Sequence, residues 1–181
     1  MAAALFSMTS KTILNQLKGG DRRSIGRANQ LAKQAAMDPE IFRELIRALW
    51  NDDPLVRMRA ADAAEKASAK NDRLLAPYRA ELLGLLGETT QKEVRWHLAQ
   101  MIPRLGLSKE ERHRAAASLR LYLNDRSSIV RTFAMQALCD LAREDESLRE
   151  EVVDLIRHLT RTGSPAMRAR GRKLLAQFDR A

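Results

Sequence analysis

The sequence predicts an all-α protein of helical pairs stacked as a solenoid, and three observations predict it. An aliphatic residue followed by Arg, or by Gly-Arg, opens an Ala/Leu-rich stretch at Ile25, Val56, Val94, Val130 and Met167, in steps of 31, 38, 36 and 37 residues. Periods of this length are those of helix-pair repeats. Gly and Pro are few (8 and 5 of 181 residues), and no run alternates polar with β-branched residues, which argues against sheet. Helix-start signals, Asp-Pro and Ser-x-x-Glu, then recur between the apolar stretches. The reading is ten helices in five antiparallel pairs, one solenoid over residues 1–181 with repeats at about 9–36, 38–69, 71–105, 108–143 and 147–179.

Taken in order, a first helix starts at Thr9 or Ser10, carries Ile13, Leu14 and Leu17, and stops at Gly19-Gly20. The second starts near Asp21 and runs past Leu31 to Ala35. Asp38-Pro39 and Asp53-Pro54 each place a capping carboxylate before a proline at the first helical position, opening helices through Leu49 and Ala67. Residues 69–76 read as the longest irregular stretch, and Pro77 to Gly87 as the next helix, with room for one helical turn before it. Capping boxes are expected at Thr90–Glu93, Ser108–Glu111 and Ser147–Glu150. Pro103 falls inside the Val94 helix and is expected to kink it, at a cost of about 3 kcal/mol. Gly163-Ser164-Pro165 turns into the last helix, through Phe178.

Within each second helix, the offsets 4, 7, 8 and 11 from the opening aliphatic return to one side at 100° per residue and should form the core. Offsets 2 and 6 face away, and offset 3 lies at the margin. The outward and margin columns together hold Trp96, Met58, Arg59, His97, Gln100, Phe133, Gln136 and Arg170, a candidate partner-binding patch with Trp96 as its anchor. Leu31 and Asp62 share the offset-6 column.

The net charge of +9 and pI near 10.3 favour an acidic partner. Charge concentrates in two clusters, Arg22, Arg23 and Arg27, and Arg168, Arg172 and Lys173 beside Arg170. No metal or cofactor constellation is expected: His97, His113 and His158 stand on different helices, and Cys139 has no ligand at coordinating spacing. His113 reads as solvated. A single cysteine fits a reducing compartment, and the apolar N-terminal residues are too short for a secretory core or membrane span, so the expectation is a cytoplasmic protein without membrane contact.

The pattern of a polar residue (Asn51, Thr89, Asp125, Thr162) five positions before Val56, Val94, Val130 and Met167, with Arg57, Arg95, Arg131 and Arg168 next, resembles the HEAT repeat. That resemblance implies a right-handed α-α superhelix of the HEAT/armadillo kind, second helices lining a concave face, and an Asp–Arg ladder between repeats that is here partial. It also implies structural use for the four arginines. HEAT-like DNA alkylation-repair glycosylases pair groove tryptophans with an aspartate one turn along; here that position is Gln100. The expected function is a non-enzymatic module, monomeric or weakly self-associating, that takes a protein partner, acidic or with an apolar anchor, on its concave face. The alternative is a nucleic-acid-binding protein, with arginines on phosphates and Trp96 stacked on a base.

Overall fold

The computed structural model describes residues 12–19 and 26–178. Every regular element among them is helical: α1 (12–17), α2 (Ala28–Ala35), α3 (Pro39–Arg47), α4 (Pro54–Ser68), α5 (Arg79–Glu88), α6 (Lys92–Met101), α7 (Lys109–Tyr122), α8 (Ser128–Glu144), α9 (Glu146–Thr162) and α10 (Pro165–Phe178). The predicted start of the second helix, Asp21 to Ile25, lies outside the described residues. The chain divides into two compact units, one ending at Tyr78 and one beginning at Arg79, a division that the repeat count alone does not mark.

In the first unit α2 and α3 pack on α4. Ala60, Ala63, Ala64 and Ala67 line the buried side of α4, and their small side chains let the neighbouring helices approach closely. Leu31, Phe42, Leu45 and Ile46 are among the large side chains buried in that core, and the Phe42 ring meets Tyr78 at 5.9 Å. Leu31 is fully buried, so offset 6 does not face outward there.

In the second unit α6, α8 and α10 pack side by side as one layer. Helices α5, α7 and α9 cover them, with α7 tied to α9 by Arg120 and Glu151 at 2.7 Å. The offset rule holds for this core: Leu98, Met101, Ile102 and Leu105 after Val94, and Ala134, Ala137, Leu138 and Leu141 after Val130, are all buried. On α10, Gly171, Leu174 and Phe178 are buried and Leu175 is half-buried. A Cβ on Gly171 would stand 2.0 Å from Thr160 Oγ1, so this glycine sets how closely α10 lies on α9.

The caps follow the sequence in three places. Asp38 accepts from the Glu40 amide at 2.9 Å, Asp53 from the Leu55 amide at 2.8 Å, and Ser108 and Glu111 exchange both bonds of a capping box. Elsewhere they differ. Helix α6 starts at Lys92 with Gln91 as its N-cap, leaving Thr90 one residue too early to cap and Glu93 at the second helical position. Helix α9 starts at Glu146 because Asp145 takes the cap, accepting from the Ser147 amide at 3.1 Å, which puts Ser147 inside the helix. Asp72–Tyr78 form a 3-10 helix that holds Pro77, so the turn for which the sequence left room before Pro77 is present within the stretch read as irregular, and α5 begins only at Arg79, two residues after the expected start. Pro103 does not kink a continuing helix: α6 ends at Met101, and Pro103 sits in a 3-10 turn, Ile102–Arg104, where its missing amide costs little.

Candidate partner-binding surface

Trp96 is half-buried on α6, with its ring edge-on to His97 at a centroid distance of 5.3 Å. His97 is itself only 7% exposed, so the margin position belongs to the core here and the imidazole is withdrawn from partners. Gln100 donates to the Trp96 carbonyl one turn back, at 3.3 Å.

On the adjacent α8, Phe133 is half-buried beneath the Arg170 guanidinium of α10, at 5.7 Å from its ring centroid. Arg170 also donates to Gln136 Oε1 at 2.8 Å, and Gln136 Nε2 donates to the two Asp140 oxygens at 2.9 and 3.1 Å. Arg143 donates to the same carboxylate at 3.1 Å. Burial raises the Asp140 carboxyl above the ordinary range, and bonding to Gln136 and the charges of Arg143, Arg170 and Arg104 pull against that rise. Asp140 stands at offset 10 from Val130, which at 100° per residue falls between offsets 6 and 3 on the outward side. Continuing the columns one more turn would have found it.

Met58 and Arg59 lie in the first unit. Met58 is half-buried. Arg59 is 1% exposed and is no contact residue: it donates to the Leu17 carbonyl at 2.9 Å and to that of Gly19, capping the end of α1. Gly26 makes room for it, since at φ +54° a Cβ there would lie 3.1 Å from the guanidinium carbon. Asp62 pairs with Lys66 at 2.7 Å. Trp50, to which the sequence reading assigns no role, is 46% exposed, in the 3-10 turn Ala48–Trp50.

The four arginines that follow the opening aliphatics divide. Arg57 donates to the Asn51 and Asp52 carbonyls, closing its own loop. Arg95 donates to the Thr89 carbonyl at 2.8 Å, pairs with Asp125 of the next hairpin at 2.7 Å and lies over the Tyr122 ring. The side chains of Arg131 and Arg168 make no hydrogen bond or ion pair among the described residues, so the structural use expected of the whole row ends at Arg95.

Of the basic clusters, Arg27, Arg168, Arg172 and Lys173 are exposed, Arg170 is engaged as above, and Arg22 and Arg23 lie outside the described residues. His113 is not simply solvated: its Nε2 is 3.0 Å from Ser147 Oγ and 3.4 Å from Asp145. Among the described residues no three His, Cys, Asp or Glu side chains gather as a metal site. Cys139 is fully buried, and burial pushes its thiol up to about 12. No described helix is long and apolar enough to cross a membrane.

Charge is distributed unequally between the layers of the second unit. Helices α6, α8 and α10 carry eight basic and three acidic residues, whereas α5, α7 and α9 carry eight of each. The layer that bears Trp96 and Phe133 is therefore the positive one.

No family model and no curated protein matches this chain. Among solved structures, it is similar to a crystal structure described only as an engineered protein, at 18% identity and a TM-score of 0.61, over 92% of this chain and 78% of that one. That likeness supports the all-helical fold.

Proposed function

We propose that the chain is a non-enzymatic, HEAT-type binding module of the cytoplasm, monomeric or weakly self-associating, whose α6–α8–α10 layer takes a protein partner with an acidic segment. The observation that carries this reading is the pairing of two half-buried aromatics, Trp96 and Phe133, on adjacent helices of a layer with a net positive charge. Aromatic and arginine side chains are enriched where protein interfaces bury most, and a positive layer steers an acidic partner. The Arg95–Asp125 bond between successive hairpins supports the HEAT assignment. Arg59 and His97, being buried, leave the contact set, as does Met58, which belongs to the other unit; the set becomes Trp96, Gln100, Phe133, Gln136 and Arg170.

Affinity capture from the native host with wild type and Trp96→Ala tests the reading. The substitution should abolish recovery of the partner, a loss of about 2 kcal/mol or more for an anchor tryptophan, with the helical circular dichroism unchanged. Equal recovery by both proteins would remove Trp96 from the interface.

A further inference from the structure

We propose a second surface on the same unit, a phosphate-binding edge for a nucleic-acid backbone, at the start of α8 and α10. Ser128 Oγ and Ser164 Oγ lie 2.9 Å apart, so the first turns of these two helices are neighbours. Arg126 precedes α8 and Arg131 lies in its first turn; Arg168 lies in the first turn of α10, with Arg172 one turn further along. Arg126, Arg168 and Arg172 are exposed, and none of the four side chains has a hydrogen bond or ion pair among the described residues. This contrasts with Arg57 and Arg95 at the equivalent repeat position, which are bonded. Guanidinium groups that the chain itself does not pair are open to an anion, which supplies the partner they lack.

The surroundings favour phosphodiester over an acidic protein segment. A protein interface needs a desolvated apolar centre, and within residues 126–132 and 161–172 Ile129 is the one large apolar side chain that is exposed. The hydroxyls interleaved with the arginines are those of Ser127, Ser128, Thr132, Thr162 and Ser164. Arginines, hydroxyls and the first amides of helices are the donors that contact phosphate oxygens in nucleic-acid complexes. With no planar ring among them to stack on a base, the edge should bind without sequence preference.

The test is fluorescence anisotropy of labelled single-stranded and duplex DNA, and of a labelled polyglutamate peptide, titrated at several salt concentrations. Three proteins are compared: wild type, Arg126→Gln/Arg168→Gln/Arg172→Gln, and a charge-matched control, Arg114→Gln/Arg149→Gln/Arg157→Gln, on α7 and α9. The edge variant should weaken duplex binding at least tenfold at low salt and flatten the slope of log affinity against log salt by about 2 to 3, near 0.9 for each phosphate that is no longer neutralised. The control should change affinity less than twofold, and Trp96→Ala should leave DNA binding intact, which separates this surface from the protein-binding one. Equal losses in the two triple variants, undetectable DNA binding by wild type at low salt, or tighter binding of polyglutamate than of DNA through the same three arginines would each overturn the proposal.

Discussion

Arginine is put to three uses in this chain, and the neighbours of each guanidinium decide which. Arg59 closes the end of α1 from within the core, Arg95 links one hairpin to the next, and Arg131 and Arg168 bond to nothing described. The first use depends on Gly26, whose positive φ and missing Cβ admit the guanidinium. Gly26→Ala should lower stability by about 1–2 kcal/mol from backbone conformation alone, and Arg59→Met by about 2–3 kcal/mol, because carbonyls bonded to a charged donor would lose it. Chemical denaturation measures both, and an Arg59→Met protein as stable as wild type would show that the cap carries no weight. From sequence, Arg59 looks like a contact residue because offset 3 is ambiguous between core margin and groove. The Leu17 carbonyl that claims it lies forty-two residues earlier, beyond the reach of a helical-wheel argument.

At the scale of the helix, the contrast between α7 and α9 shows how a second candidate cap shifts a start. Ser108 has no rival and forms its box with Glu111, whereas Asp145 displaces Ser147 by two residues, since an aspartate caps at least as well as a serine. Both caps give a pH dependence of known sign. A backbone hydrogen bond from Ser108 holds the Glu111 carboxyl below its ordinary value, and the Ser147 hydroxyl does the same for Asp145. A carboxyl lowered in the folded state stabilises above its unfolded value near 4, and that contribution is lost as pH falls through the folded value. Acid titration followed by amide exchange should therefore show the first turns of α7 and α9 opening below about pH 4, before the middle of α8. Glu111→Gln, which removes the titrating carboxyl that the Ser108 amide bonds, should remove most of that pH dependence at α7, and opening of both helices at neutral pH would contradict the assignment. Asp140 has the opposite sign: its raised carboxyl makes ionisation in the folded unit a cost, so it cannot be the source of acid sensitivity.

For the molecule as a whole, the repeat period and the core offsets were legible because close packing leaves a 3.6-residue signature at every turn. The division at Tyr78 was not, because Asp72–Tyr78 keeps the repeat spacing while changing helix type. The candidate surface was half legible: Trp96 and Phe133 stand on the outward layer, while His97 is buried and Asp140 lies one turn beyond the outward columns. Cys139 gives a direct probe of the second unit as a cooperative body. With no exposure and its thiol pushed up to about 12, it should react with a thiol reagent at about pH 8 only as fast as the unit opens, and fully in denaturant. Rapid labelling of the native protein would mean that α8 is not enclosed as described. The Arg59 cap has a further consequence, in time rather than in energy. Short helices do not persist alone in water, and the guanidinium that closes α1 belongs to α4, so during synthesis α1 leaves the ribosome well ahead of its own cap and must wait for α4 before it can hold its shape.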